Sequence, residues 1–123
     1  MPGREWRRSR AGNNEGIVEL VIEIVRFVSW DPQPGIVACE LKDAEGQTHV
    51  FVDKIPVFGT WDVDEHTSYP VPSFLHCKIL SRMRDAHGRR LVRVRTDGVE
   101  TTAGLSEFVV LEEQVSEENT ETD

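Results

Sequence analysis

Catalysis and metal binding need particular side chains at particular spacings, so the chain's four histidines and two cysteines come first. Asp62-Val63-Asp64-Glu65-His66 is the one run with metal-like ligands, three carboxylates and an imidazole suited to a divalent cation. Its spacing is not that of a calcium loop, which places a glycine mid-loop and a glutamate at its far end, so an acidic solvated loop is expected. His49 and His76 sit on the parity opposite the apolar residues of their segments and are expected to face solvent, and His87 falls in a turn. Cys39 and Cys77 share the parity of Val37, Leu41, Leu75 and Ile79, where a thiol acts as a small core hydrophobe. No Cys-x-x-Cys pair, nucleophile elbow, phosphate-cradling glycine loop or His-Glu-x-x-His appears. No catalytic residue, metal or cofactor is therefore assigned.

Binding chemistry is better represented. Lys78, Arg82, Arg84, Arg89, Arg90, Arg93 and Arg95 supply half of the chain's 14 basic residues, opposed locally by Asp85 alone. Lys78, Arg82 and Arg84 alternate with Cys77 and Ile79, and Arg93 and Arg95 alternate with Val92 and Val94. Most of this charge is thus expected on one face, interrupted by Leu80 and Leu91. Such a face can neutralise phosphates. It lacks stacking aromatics, with only His76 outward, and pairing with Glu19, Glu23 or Glu40 is the plainer alternative. The acidic run that begins at Glu112 is tethered to the same domain and would compete with an acidic ligand for these arginines. A second candidate surface is the segment from Lys54 to Pro72. There Phe58, Trp61 and Tyr69 either plug the end of the fold or form an aromatic rim for a partner.

These residues must be positioned by strands. From Ile17 to Trp30, Val18, Leu20, Ile22 and Ile24 alternate with Glu19 and Glu23, the period of a half-buried strand. Asp31-Pro-Gln-Pro-Gly35 ends it. Pro34, Ile36, Val37, Cys39 and Leu41 then recur at constant offset as Pro72, Phe74, Leu75, Cys77 and Ile79. Each segment leads to a turn, Asp43-Ala-Glu-Gly46 and Asp85-Ala-His-Gly88, in which aspartate opens and glycine closes a hairpin. Val50 and Val52 follow the first glycine as Val92 and Val94 follow the second, so all four are expected inward. A last strand spans Glu107 to Leu111, and Thr60 to His66 carries the only helical signal, one turn capped by Thr60. The expected fold is all-β: one antiparallel, six-stranded small barrel of OB or SH3 type, or a compact sandwich, with two consecutive hairpins.

With 123 residues, 38% of them hydrophobic, the chain has material for one modest core. Residues 16–112 are the expected domain. Residues 1–15, with Arg4, Arg7, Arg8 and Arg10, and residues 113–123, rich in glutamate, are expected to be disordered arms. No apolar run approaches the roughly 20 residues that span a bilayer, and no export signal is evident, so a cytosolic setting is expected.

Arg26-Phe-Val-Ser29, Pro34-Gly-Ile-Val37, Asp53-Lys-Ile-Pro-Val-Phe58, Tyr69-Pro-Val-Pro72 and Gly104-Leu-Ser-Glu-Phe-Val-Val-Leu111 together resemble a family of small bacterial proteins of unassigned function. The resemblance covers most of Ile17 to Val115, implies a bacterial cytosolic protein, and carries no activity with it. The expected function is a non-catalytic interaction module, an immunity-type inhibitor steered to a basic protein partner by the net charge of −8. The alternative is a nucleic-acid-binding barrel that uses Arg82, Arg84, Arg89, Arg90, Arg93 and Arg95.

Overall fold

Alternation makes Ile17–Ser29 a single long strand, β1, whose Val18, Leu20, Ile22 and Ile24 are all buried. A bulge between Ile24 and Arg26 shifts the register, so that Phe27, and not Arg26, lies opposite Val37 and packs on the core. The bend lets β1 serve three neighbours. Its first half pairs with β4 (Val71–Arg84), its second half with β2 (Ile36–Lys42), and Val18 to Leu20 also pair with β7 (Val115–Glu117). With β3 (Thr48–Lys54), β5 (Arg90–Thr96) and β6 (Glu107–Leu111), the order across the sheet is β3-β2-β1-β4-β5-β6, antiparallel throughout. These facts come from a computed structural model, which describes residues 17–60 and 62–117.

The expected all-β, barrel-like fold is present, as one sheet curled into a half-barrel and not as two stacked sheets. Its two edges are bridged at the ends. Ala44, in the β2–β3 turn, donates its amide to Val109 of β6 at 2.9 Å, and Thr102, before β6, donates to Val50 of β3 at 2.9 Å. Phe51 and Phe58 are fully buried at the centre, each contributing about 1.5–3 kcal/mol by leaving water. The segment after β3 forms a short 3-10 turn, Ile55–Phe58, which closes one end of the core. The buried hydroxyl of Ser73 on β4 donates to the Phe58 carbonyl and ties that plug to the sheet.

The two hairpin turns match bond for bond. Gly46 and Gly88 have φ of 83° and 82°, and their amides donate to the carbonyls of Asp43 and Asp85 at 3.0 Å each. The carboxylate of Asp43 accepts from the amides of Glu45 and Gln47, as that of Asp85 does from those of His87 and Arg89.

The hairpin arms do not match, which corrects the expected facing. On β3 the inward residues are His49 and Phe51, while Val52 is 40% exposed. The β2–β3 register sets this facing, pairing the buried Cys39 with Phe51 and Leu41 with His49, and the difference from the second hairpin arises in β4. A bulge between Ile79 and Ser81 inserts one extra residue before the second turn and reverses the side on which every later residue lies. The first hairpin has no such bulge, so identical turns carry opposite faces. Two further expectations change. Residues 113–117, expected in the tail, extend the ordered chain through a 3-10 turn (Glu112–Gln114) into β7. None of the described residues from Thr60 to His66 is helical; the Thr67 amide donates to the Asp64 carbonyl at 3.2 Å and closes a simple turn.

Candidate functional site

The β4 bulge divides the arginines. Residues directly opposite one another across a ladder share a face. Lys78 opposes Arg95 and Ser81 opposes Arg93, so these bases occupy the convex face. Arg82 opposes the buried Val92 and Arg84 opposes Arg90, which places these three on the other side of the hairpin, beyond the end of the core. The single basic face expected from strand parity is therefore two smaller groups.

Each group has its own acid. On the convex face, Glu107 at the start of β6 meets Arg93 at 3.6 Å and Arg95 at 3.4 Å. On the other side, Glu112 splits its carboxylate between Arg82 at 2.9 Å and Arg90 at 3.5 Å. Arg89 is held by Asp85 within the turn, its Nε 2.6 Å from Oδ2. That bond, with the turn's amides, holds the Asp85 carboxyl down at about 2. The acids expected to serve this role were Glu19, Glu23 and Glu40, yet Glu19 lies instead beside His76 at 3.9 Å. Chain order carried the missed signal: β6 follows β5, so an acid opening or leaving β6 arrives beside the β5 arginines.

The aromatic segment is mostly plug. Phe58 is buried in the core and offers no surface. Tyr69 packs against the same cluster and donates its hydroxyl to the Asp64 carbonyl at 2.7 Å, burial being the main cause that pushes its phenol up. Trp61 lies outside the described residues. An exposed aromatic that sequence reasoning passed over is Trp30, tilted against Phe27 with centroids 4.7 Å apart and donating its indole N–H to Glu65 at 2.9 Å.

Cys39 and Cys77 are buried free thiols, and burial pushes both up to about 12, far from a reactive thiolate. His49 is not solvent-facing as expected. Its ring, 15% exposed, lies 2.8 Å from Asp43 and packs on Phe108 with centroids 4.9 Å apart. Burial acts to raise the Asp43 carboxyl, but the hydrogen bonds from His49, Gln47 and Glu45 outweigh it and leave it lowered. In the acidic loop, Asp64 is taken up by the amide of His66 and Glu65 by Trp30. Among the described residues, no three His, Cys, Asp or Glu side chains converge on a metal position, and no helix is long and apolar enough to cross a membrane.

One patch has no counterpart in the sequence reading. Val21 on β1 and Phe74 on β4 are directly opposed on the convex face and are 41% and 42% exposed. Glu19, beside His76, and Glu23, opposite both Pro72 and Glu40, stand on either side of them in the ladder. No family model, curated protein or solved structure matches the chain.

Proposed function

We propose that the protein is a non-catalytic interaction module whose partner is a basic protein, with inhibition of that partner as the biological outcome. The observation that carries this reading is the opposed Val21–Phe74 pair, exposed on the convex sheet and flanked by Glu19, Glu23 and Glu40. An apolar centre within a charged rim is the usual anatomy of a protein-binding patch, and the carboxylates select a basic partner and speed its approach. The chain's net charge of −8 acts in the same direction at long range. A bacterial cytosolic setting belongs to the same proposal. Nucleic acid is less favoured because the bulge splits the arginines and Glu107 and Glu112 already neutralise part of each group.

The test is capture on immobilised full-length protein, compared with Val21→Ser/Phe74→Ser and with Glu19→Gln/Glu23→Gln/Glu40→Gln. A basic protein held by the parent and lost from both variants supports the reading. Equal capture by all three overturns it. Capture abolished by nuclease and by Arg93→Glu/Arg95→Glu would put nucleic acid in its place.

A further inference from the structure

At the tip of the second hairpin, Arg82, Arg84 and Arg90 line a shallow groove with Met83, Leu91 and Glu112. The bulge in β4 creates this arrangement, since without it Arg82 would face the convex side with Arg93. Glu112 sits in the groove as a ligand would. One carboxylate oxygen faces Nη1 of Arg82 at 2.9 Å and the other faces Nη1 of Arg90 at 3.5 Å. Arg84, opposite Arg90 in the ladder, meanwhile directs its Nη1 to the Gly88 carbonyl at 3.1 Å. Glu112 thus meets two of the three guanidiniums, and Arg84 reaches a backbone carbonyl in place of a carboxylate.

From this geometry we infer that the groove is a binding site for a terminal phosphate dianion, occupied in the free protein by the Glu112 carboxylate. A phosphate offers three acceptor oxygens and up to two charges, against two oxygens and one charge for the glutamate. It can therefore engage Arg84 as well as Arg82 and Arg90 once Glu112 has moved aside. The residues involved are exposed, with side-chain accessibilities of 50% for Arg82 and 65% for Arg90, so exchange of one anion for the other needs no opening of the core. A single phosphodiester has one charge and gains no such advantage over the carboxylate. This site lies at the end of β4 that leads into the second turn, away from Phe74 near the strand's start, and its fate is independent of the docking face proposed above.

Inorganic pyrophosphate, titrated into full-length protein and followed by NMR, is the test. The expected result is movement of the resonances of residues 82–90. Affinity should tighten by about fivefold in Glu112→Gln, which removes the internal competitor. Glu113→Gln makes the same change in net charge on a neighbouring exposed residue and should leave affinity within about twofold. Arg82→Gln/Arg90→Gln should abolish the shifts while the melting curve stays in place. Equal tightening by Glu112→Gln and Glu113→Gln would reduce the effect to overall charge and overturn the site. So would binding of an oligothymidine without terminal phosphates to Glu112→Gln as tightly as pyrophosphate.

Discussion

Nη1 of Arg89, in the turn of the second hairpin, donates to the carbonyl of Ala44 in the turn of the first at 3.2 Å. The same guanidinium holds Asp85 through Nε, and the Ala44 amide is bonded to Val109. One side chain therefore fastens its own turn and joins the two hairpins where the edges of the sheet approach. Arg89→Ala should release Asp85, whose titration midpoint then rises from about 2 toward the ordinary carboxylate value of about 3.9. Carbon-detected NMR titration of the carboxyl reads this directly. An unchanged midpoint would mean that the backbone amides alone hold the charge.

Acid sensitivity follows from the paired turns. Asp43 and Asp85 both have lowered folded-state values, so each contributes stability above the unfolded carboxylate range. That contribution is lost as pH falls through the folded value, which for Asp85 places the loss between about 3.9 and about 2. Urea midpoints should fall across this window, and Asp43→Asn/Asp85→Asn should flatten the fall. An identical pH profile in the double variant would assign acid unfolding to other groups.

Glycine is required at Gly35 for two reasons and at Gly46 for one. Gly35 has φ of 124°, and a Cβ there would lie 2.9 Å from Cδ1 of Ile55 and 3.2 Å from the Trp30 ring. Gly46 has φ of 83° with open space around it. Gly46→Ala should cost roughly 1–2 kcal/mol from backbone strain alone, and Gly35→Ala clearly more. Thermal unfolding of the two variants would rank them, and equal melting temperatures would show that the Ile55 and Trp30 side chains give way freely.

Much of the fold was legible because period-two patterning and Asp-x-x-Gly turns are local signals. The alternation from Val18 to Ile24 marks β1, and the Asp43 and Asp85 turns locate both hairpins. The facing of the arms was not legible, because a β-bulge leaves no fixed mark in sequence: Ile79-Leu80-Ser81 reads like any other strand interior. That one unseen residue misplaced Arg82 and Arg84, and treating the hairpins as alike misplaced Val52 and His49. The Glu107 and Glu112 contacts depend on how β6 docks and how the chain leaves it, which is long-range information. The Val21–Phe74 pair likewise exists only once β1 and β4 are in register.

The inverted facing of β3 can be tested by stability. Phe51→Ala removes a fully buried ring and should cost about 3–5 kcal/mol, whereas Val52→Thr, on the exposed side, should change stability by less than about 0.5 kcal/mol. Urea unfolding of both variants is sufficient. A large loss at Val52 and a small one at Phe51 would restore the facing read from the turn repeat.

The division of the arginines makes a sharper statement, since it assigns each glutamate its own partners. Double-mutant cycles isolate the coupling between two side chains from the effects of each substitution alone. Arg82 with Glu112, and Arg95 with Glu107, should each show a small favourable coupling, at most about 1 kcal/mol for pairs this exposed, and smaller in high salt. Arg82 with Glu107 should show none, because the bulge sets them on opposite sides of the hairpin. Strand parity without the bulge predicts the reverse, with Arg82 joining Arg93 and Arg95 around Glu107. Measurable coupling between Arg82 and Glu107, with none to Glu112, would remove the bulge from β4, and with it both the split basic surface and the groove at the hairpin tip.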